Sequence, residues 1–139
     1  YNCRLGDPET EVVLPRLQTD LVALFAAMDN GTLEDANISF DERSAATIMA
    51  VSGGYPGDYA KGKPIELPAA SEVPKDTLVF HAGTISSGEQ VLTNGGRVLA
   101  VTSYGANIAE AVERSKTTLQ QISFEGMYFR KDIGFEFPC

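Results

Sequence analysis

Residues 77–103, TLVFHAGTISSGEQVLTNGGRVLAVTS, alternate apolar stretches with turn residues. Thr77–Ala82, Gln90–Thr93 and Arg97–Ser103 are short and rich in β-branched side chains, a composition that favours strands. Ser86-Ser87-Gly88 is a turn sequence, and Asn94-Gly95 favours the type I′ turn of a two-residue hairpin. The stretch therefore predicts an antiparallel meander of three strands.

Helical patterns flank these strands. Asn107 followed by Glu110 imitates a capping box, and apolar residues continue on one face, which predicts a helix over 107–121 that covers the sheet. Before the strands, Asp7-Pro8 starts a helical pattern that Pro15 interrupts, and a second helix ends at Asn30-Gly31. The sequence predicts an α+β fold: a small antiparallel sheet meander with one covering helix, preceded by a helical arm. We expect two units, residues 1–43 and 44–139.

The composition argues against several classes of function. Lys and Arg number 11 against 19 Asp and Glu in 139 residues, which gives a net charge of −8. A nucleic acid would be repelled by this charge, and no run of about 18 apolar residues offers a membrane span. Two cysteines, Cys3 and Cys139, make no disulfide framework, so we expect a reduced, cytoplasmic protein without nucleic-acid or membrane partners.

The opening segment is one candidate site. Asn2 and Arg4 alternate on an extended stretch and point to one face, just before the chain turns at Gly6 into a helix start. An amide oxygen suits a hard cation, and a guanidinium suits phosphate or carboxylate. The plainer interpretation is that Asp7 caps the helix and Arg4 pairs with Glu9 or Asp7.

Three further residues are candidate ligand contacts: Lys61, His81 and Arg97. Each also has an ordinary structural interpretation, since loop lysines are usually solvated and a single strand histidine is usually hydrogen-bonded. For Arg97, the first interpretation is a hairpin residue.

Taken together, five phrases are far more specific than any one of them. They are Asn-x-Arg-x-Gly-Asp-Pro-Glu-Thr at 2–10, Ser-Gly-Gly-Tyr-Pro-Gly-Asp-Tyr at 52–59, Phe-His-Ala-Gly-Thr at 80–84, Thr-Asn-Gly-Gly-Arg-Val-Leu at 93–99 and Phe-Glu-Gly-Met-Tyr-Phe-Arg-Lys-Asp-Ile-Gly at 124–134. From end to end the chain resembles the C-terminal part of the phosphoribosylamine–glycine ligases, a family of ATP-grasp ligases of purine synthesis.

This resemblance implies a reaction in which ATP phosphorylates the glycine carboxylate and the amine of 5-phosphoribosylamine attacks the glycyl phosphate. The products are glycinamide ribonucleotide, ADP and phosphate. The family's metal phrase is Glu-x-Asn-x-Arg, which makes Asn2 a ligand of Mg²⁺ (or Mn²⁺) and Arg4 the catalytic arginine. Gly6, Asp7, Pro8 and Glu9 match its continuation and are expected on the substrate side of the pocket. Lys61, His81 and Arg97 are candidate contacts of the ribose phosphate, although no motif of the family assigns them this role.

The resemblance also implies missing parts. The family's glutamate would precede Tyr1, and the amino-terminal domain and most of the ATP-grasp domain would be the partners of this chain. Residues 1–43 would then be the tail of the ATP-grasp domain and 44–139 the small C-terminal domain. We expect such a fragment to be inactive and to bind no Mg-ATP on its own. The alternative is a non-catalytic accessory or interaction module, in which the apolar stripe of the arm would be covered within the chain.

Overall fold

The computed structural model describes residues 3–137 of the chain. Within these residues the helices are α1 (Glu9–Val13), α2 (Leu21–Asn30) and α3 (Ile108–Leu119). The strands are β1 (Ser44–Val51), β2 (Thr77–His81), β3 (Thr84–Ser87), β4 (Gln90–Thr93) and β5 (Arg97–Gly105). A three-stranded antiparallel sheet has the order β1–β5–β2, and β3 and β4 form a separate hairpin. The predicted α+β class is confirmed.

Helix α3 covers one face of the sheet. It begins where the Asn107 side-chain oxygen accepts the Glu110 backbone N–H at 2.9 Å, so the predicted N-terminal cap is formed. Its buried residues recur at helical spacing and include Ala111, Val112, Ser115, Thr118 and Leu119. They pack against apolar side chains of β1 and β5, among them Ala46, Ile48, Ala50, Leu99 and Val101. The predicted covering helix is confirmed, and this face of the sheet holds the core.

The strand order differs from the predicted meander. β2 and β5 are direct antiparallel neighbours, with Val79 opposite Val101, although the strand at 90–93 was expected between them. β4 pairs with β3 instead, and the Asn94 N–H donates to the Gly83 carbonyl at 2.7 Å rather than closing a turn into β5. The physical reason lies in β5: residues 98–105 are all buried, so this strand requires a partner on each edge and cover on both faces.

The helical arm precedes the sheet. α1 runs directly into a 3₁₀ turn, Leu14–Arg16, that contains Pro15, as the predicted interruption requires. The expected capping by Asp7 is wrong, because Pro8 occupies the N-cap position and no side chain caps α1. α2 is capped by Asp20, whose carboxylate accepts the N–H groups of Val22 and Ala23, and it ends at Gly31 in the left-handed conformation.

One stripe of α2 is exposed. Val22, Phe25 and Met28 expose 74%, 58% and 60% of their surface. The described residues therefore leave an apolar face on the arm uncovered, against the expectation from the accessory-module hypothesis. None of the helices in residues 3–137 has the length and apolar character needed to cross a lipid bilayer.

Candidate functional site

The arm lies on the face of the sheet opposite α3. Three side chains of β5 donate hydrogen bonds to main-chain carbonyls of the arm: Arg97 Nη1 to Asp7 (2.7 Å), Thr102 Oγ1 to Glu11 (2.8 Å) and the Tyr104 hydroxyl to Pro15 (2.5 Å). The carbonyls are four residues apart, which is close to the 3.6-residue helical repeat and places them on one side of the arm. This face of the sheet is where the arm and the C-terminal half of the chain meet.

A β-bulge places Arg97 on this face. Leu99 is the partner of Ala50, but Arg97, not Val98, is the partner of Val51. Val98 is thus an extra residue in β5, and an extra residue shifts the alternation of side chains between the two faces. Without the bulge, Arg97 would share the face of Leu99, which belongs to the core under α3.

The turn before α1 is held by its own hydrogen bonds. The Gly6 N–H donates to Glu9 Oε2 at 2.8 Å, and both the Thr10 N–H (2.9 Å) and hydroxyl (2.6 Å) donate to the Gly6 carbonyl. A Cβ on Gly6 would lie 2.6 Å from Glu9 Oε2 and 2.9 Å from Arg4 Nη1, so a larger residue would displace the ends of these two flexible side chains. The turn therefore brings the Arg4 guanidinium and the Glu9 carboxylate against the same glycine.

Arg97 joins this turn to the sheet. Besides its bond to the Asp7 carbonyl, its Nη2 lies 3.5 Å from Asp7 Oδ2. Both side chains are about 40% exposed, at 41% and 40%. The expected substrate-side residues Asp7 and Pro8 and the candidate Arg97 are thus brought together.

A cavity of about 320 Å³ opens beside this junction. Its floor is apolar and formed in part by Met49 and Val51, while its polar lining includes Arg97, Arg130, Tyr55 and Tyr128. Arg130 also forms a bidentate pair with Asp132, at 2.9 and 2.8 Å. A cavity with guanidinium and phenol groups over an apolar floor suits a ligand that carries both an anionic group and an apolar face.

His81 lies at a different cavity. This second space, of about 530 Å³, is bordered by the other side of the arm at Thr10 and Glu11 and by Phe80, His81 and Tyr104. His81 Nδ1 is 3.0 Å from Thr84 Oγ1, a hydrogen bond across the β2–β3 connection. The structure thus separates His81 from Arg97, although both were expected to contact one ligand.

The candidate Lys61 lines neither of these two cavities. Lys61 is exposed in the β1–β2 connection, next to Gly62, whose N–H donates to the Thr93 carbonyl. Asn2, the expected metal ligand, lies outside the described residues.

A cluster of five charged residues ties the end of the arm to the sheet and to α3. Arg43 contacts Asp41 and Asp76 at 2.7 Å each, and Arg114 contacts Asp76 at 3.2 Å and Glu110 at 2.6 Å. Hydrogen bonding from Arg43 lowers the pKa of Asp41 to about 2. Arg43 also lowers the pKa of Asp76, with a smaller effect from Arg114.

The same cluster reaches the second cavity. The Arg43 guanidinium carbon lies 4.4 Å from the centre of the Tyr104 ring, a cation–π contact. Burial and then the charge of Asp41 raise the pKa of Tyr104, so its hydroxyl stays protonated and donates to the Pro15 carbonyl. The pKa of Glu110 is lowered first by the Ala106 N–H and then by Arg114. None of these groups lines the 320 Å³ cavity.

A magnesium ion does not fit the described residues alone. Mg²⁺ prefers octahedral oxygen ligands with at least one carboxylate, and residues 3–137 contain no group of three potential His, Cys, Asp or Glu ligands. Asp7 and Glu9, the first carboxylates that follow Arg4 in the sequence, contact Arg97 and the Gly6 N–H respectively.

Three cavity residues were not predicted from the sequence: Tyr55, Tyr128 and Arg130. A usable signal existed, because these residues lie within the phrases 52–59 and 124–134 that carry the family resemblance.

Comparison with known proteins identifies the family. Residues 45–136 match the family described as phosphoribosylglycinamide synthetase, C domain. The chain is 46% identical over 136 residues to the phosphoribosylamine–glycine ligase of Vibrio cholerae, which covers 97% of this chain and 31% of that protein. It is 45% identical to the ligase of the same name from Chlorobaculum tepidum, over 96% of this chain and 32% of that protein. The chain thus spans about a third of the length of the curated relatives it matches.

A solved structure shares the fold. The crystal structure of phosphoribosylamine–glycine ligase from Thermotoga maritima superposes with a TM-score of 0.70 at 31% sequence identity, over 95% of this chain and 32% of that one. Sequence and structure agree, and the chain belongs to the phosphoribosylglycinamide synthetase family, with its C domain at residues 45–136.

Proposed function

We propose that the polypeptide containing this chain is an ATP-dependent ligase that joins glycine to 5-phosphoribosylamine. ATP would phosphorylate the glycine carboxylate, and the amine would displace phosphate to give glycinamide ribonucleotide, ADP and phosphate. The observation that carries this proposal is the 46% identity to the Vibrio cholerae ligase over 97% of the chain. The guanidinium groups of Arg4 and Arg97, which flank one turn of the arm, support it.

Arg4 is the residue that we assign to the chemistry. A guanidinium stabilises the negative charge that develops on a carboxylate and a phosphoryl group as they react. Gly6 has no side chain and so lets the main chain turn back against Arg4 and Glu9. Asp7, Pro8 and Glu9 would then shape the substrate side of the pocket. Mg²⁺ or Mn²⁺ would be held mainly by groups outside residues 3–137, with Asn2 offering an amide oxygen.

We further propose that the chain is inactive alone and works against other domains of the same polypeptide. The relatives are about three times as long. The uncovered apolar stripe of α2 has the character of a surface that packs on a neighbouring domain. We also infer a cytoplasmic location, from cysteine usage alone.

The test is a chimeric ligase, in which this chain replaces the segment that it matches in the Vibrio cholerae ligase. We expect the chimeric ligase to restore growth of a bacterium that lacks its own ligase, and to consume ATP only when glycine and phosphoribosylamine are both present. Arg4→Met should lower its kcat about 100-fold or more, whereas Lys131→Met, an exposed charge near the chain end, should leave it unchanged. ATP consumption that does not depend on glycine would refute the proposal.

The inactivity of the chain alone is tested by isothermal calorimetry. The 139-residue chain titrated with Mg-ATP should show no binding, because it spans about a third of its relatives' length and, in this proposal, most of the ATP site lies in the remainder. Clear micromolar binding would contradict this part of the proposal.

A further inference from the structure

Two kinds of contact hold the turn at residues 4–10. The bonds from Gly6 to Glu9 and from Thr10 to Gly6 lie within the turn and keep its shape. Only a contact with another element can fix where the turn lies relative to the sheet. Arg97 supplies such a contact, because its guanidinium reaches from β5 to the carbonyl of Asp7.

The other two anchors of the arm lie further along. Thr102 holds the carbonyl of Glu11 inside α1, and Tyr104 holds the carbonyl of Pro15 after it. They fix the axis of the arm, but Arg4 precedes Glu11 by seven residues, and a single-turn helix such as α1 frays readily at its end. Asp7 stands between Arg4 and Glu9 in sequence, so a contact at Asp7 restrains both.

Resting on the proposed function, we propose that Arg97 is a positioning residue of the reaction: it holds Asp7 and thereby places Arg4 and Glu9. This assignment replaces the expected role of Arg97 as a contact of the ribose phosphate. Its guanidinium already donates to the Asp7 carbonyl at 2.7 Å and faces the Asp7 carboxylate at 3.5 Å. A planar group with several donors makes both contacts at once, whereas a lysine ammonium makes one of them well.

The geometry also explains why the contact comes from β5. The bulge at Val98 turns Arg97 toward the arm, and β5 is the buried central strand of the sheet. A central strand is the most rigid element available. Arg97 therefore fixes the position of the turn relative to the core of the domain.

The experiment compares three variants of the chimeric ligase. Arg97→Met should lower kcat about 10- to 100-fold, because a shift of about 1 Å in a reacting group has an effect of this size, while KM for phosphoribosylamine stays within about twofold. Arg97→Lys should recover most of the lost kcat, since it keeps one donor to the carbonyl. Lys131→Met is the control: it removes an exposed cation that does not line the 320 Å³ cavity, and kcat should not change.

The outcomes separate the possibilities. If Arg97→Met raises KM for phosphoribosylamine tenfold or more and keeps kcat, Arg97 binds substrate and the proposal is wrong. If neither parameter changes, the proposal is also wrong. If the unsubstituted chimeric ligase has no activity, the proposed function has failed. The contact between Arg97 and Asp7 is then tested on the 139-residue chain alone.

That second measurement is amide hydrogen exchange on the 139-residue chain. Arg97→Met should speed exchange at the amides of Gly6 and Thr10, and leave exchange in α3 unchanged. In Arg97→Lys, the exchange rates of these two amides should lie between those of Arg97→Met and those of the natural chain. Equal exchange at Gly6 and Thr10 in all three chains would overturn the positioning role.

Discussion

The hydroxyl of Thr102 donates to the carbonyl of Glu11 at 2.8 Å, and this carbonyl is the one that Pro15 leaves without a helical donor. In a helix the N–H of residue 15 would bond to the carbonyl of residue 11, but proline has no N–H. The break that ends α1 therefore creates the acceptor by which α1 is fixed to the sheet. A feature that looks like a simple interruption in the sequence is half of a contact between two parts of the chain.

Thr102→Val should lower the free energy of unfolding of the chain. Thr102 is fully buried, and the change leaves the Glu11 carbonyl without a donor, at a cost of about 1–3 kcal/mol. Urea unfolding measures the effect, and Thr117→Val, at an exposed position of α3, is the matched control. The Pro15→Ala background sharpens the test: residue 15 then has an N–H, so Thr102→Val should cost less there. Equal costs in both backgrounds would contradict the explanation from Pro15.

Gly83→Ala should also destabilise the chain. A Cβ on Gly83 would collide with the Arg97 carbonyl and lie 2.7 Å from the Cα of Gly95, and both contacts are backbone atoms that cannot rotate away. We expect a loss of about 1–3 kcal/mol, the usual cost of overpacking, measured by urea unfolding. Gly57→Ala is the control, since its Cβ would approach only the Gly54 carbonyl at 3.2 Å. A loss of stability no larger than in this control would show that the β2–β3 connection at Gly83 and the β4–β5 connection at Gly95 can move apart without cost.

Stability should fall in acid because of the charged cluster around Arg43. The pKa of Asp41 is about 2 in the folded chain, below its ordinary value of 3.8, so its contribution is present above the ordinary value and is lost as the pH falls through about 2. The pKa of Asp76 is lowered in the same direction. Urea midpoints of the natural chain should therefore drop between about pH 5 and pH 2.

Arg43→Met should reduce this drop, because the unfolded and folded pKa values of Asp41 then lie closer together. Lys61→Met is the control, as Lys61 forms no salt bridge with the residues that the structure describes. An unchanged acid dependence in Arg43→Met would mean that other carboxylates govern it.

Phe25→Ser should destabilise the chimeric ligase but have little effect on the 139-residue chain. In the 139-residue chain the ring is 58% exposed, so the free energy of unfolding should change by no more than about 0.5 kcal/mol. In the chimeric ligase the same change removes part of the proposed contact with the neighbouring domain and should lower the thermal midpoint. Asp29→Ser, on the same helix, is the control. Equal effects in both proteins would argue that the stripe of α2 stays exposed in the ligase.

The sequence predicted those elements whose signals are local. The cap at Asn107 and the apolar spacing of α3 lie within one helix, and the stop at Gly31 lies next to α2, so each could be inferred without the rest of the chain. The strand order could not, because it depends on what surrounds β5. The turn signal of Asn94-Gly95 was overridden by the need of a fully buried strand for two partners. The continuous apolar run at 98–101 indicated the buried, central position of β5 better than this turn signal did.

The candidate site was predicted only in part for the same reason. The family resemblance located the turn at 6–9, and the structure brings Arg97 to it. However, that meeting depends on the bulge at Val98, and neither the turn residues nor the apolar spacing around β5 indicate a bulge there. Tyr55 and Tyr128 come to one cavity from distant parts of the chain, and His81 goes to another because the arm passes between the two spaces.

Because β5 contains an extra residue, the face of the sheet from which Arg97 emerges depends on the number of residues at this point in the strand. Each step along a regular strand reverses the side on which a group emerges, so inserting one more residue between Arg97 and Leu99 would send the guanidinium among the aliphatic groups under α3. Replacing Val98 by another apolar residue leaves the count intact, whereas an insertion does not. At this point the number of residues matters more than their identity.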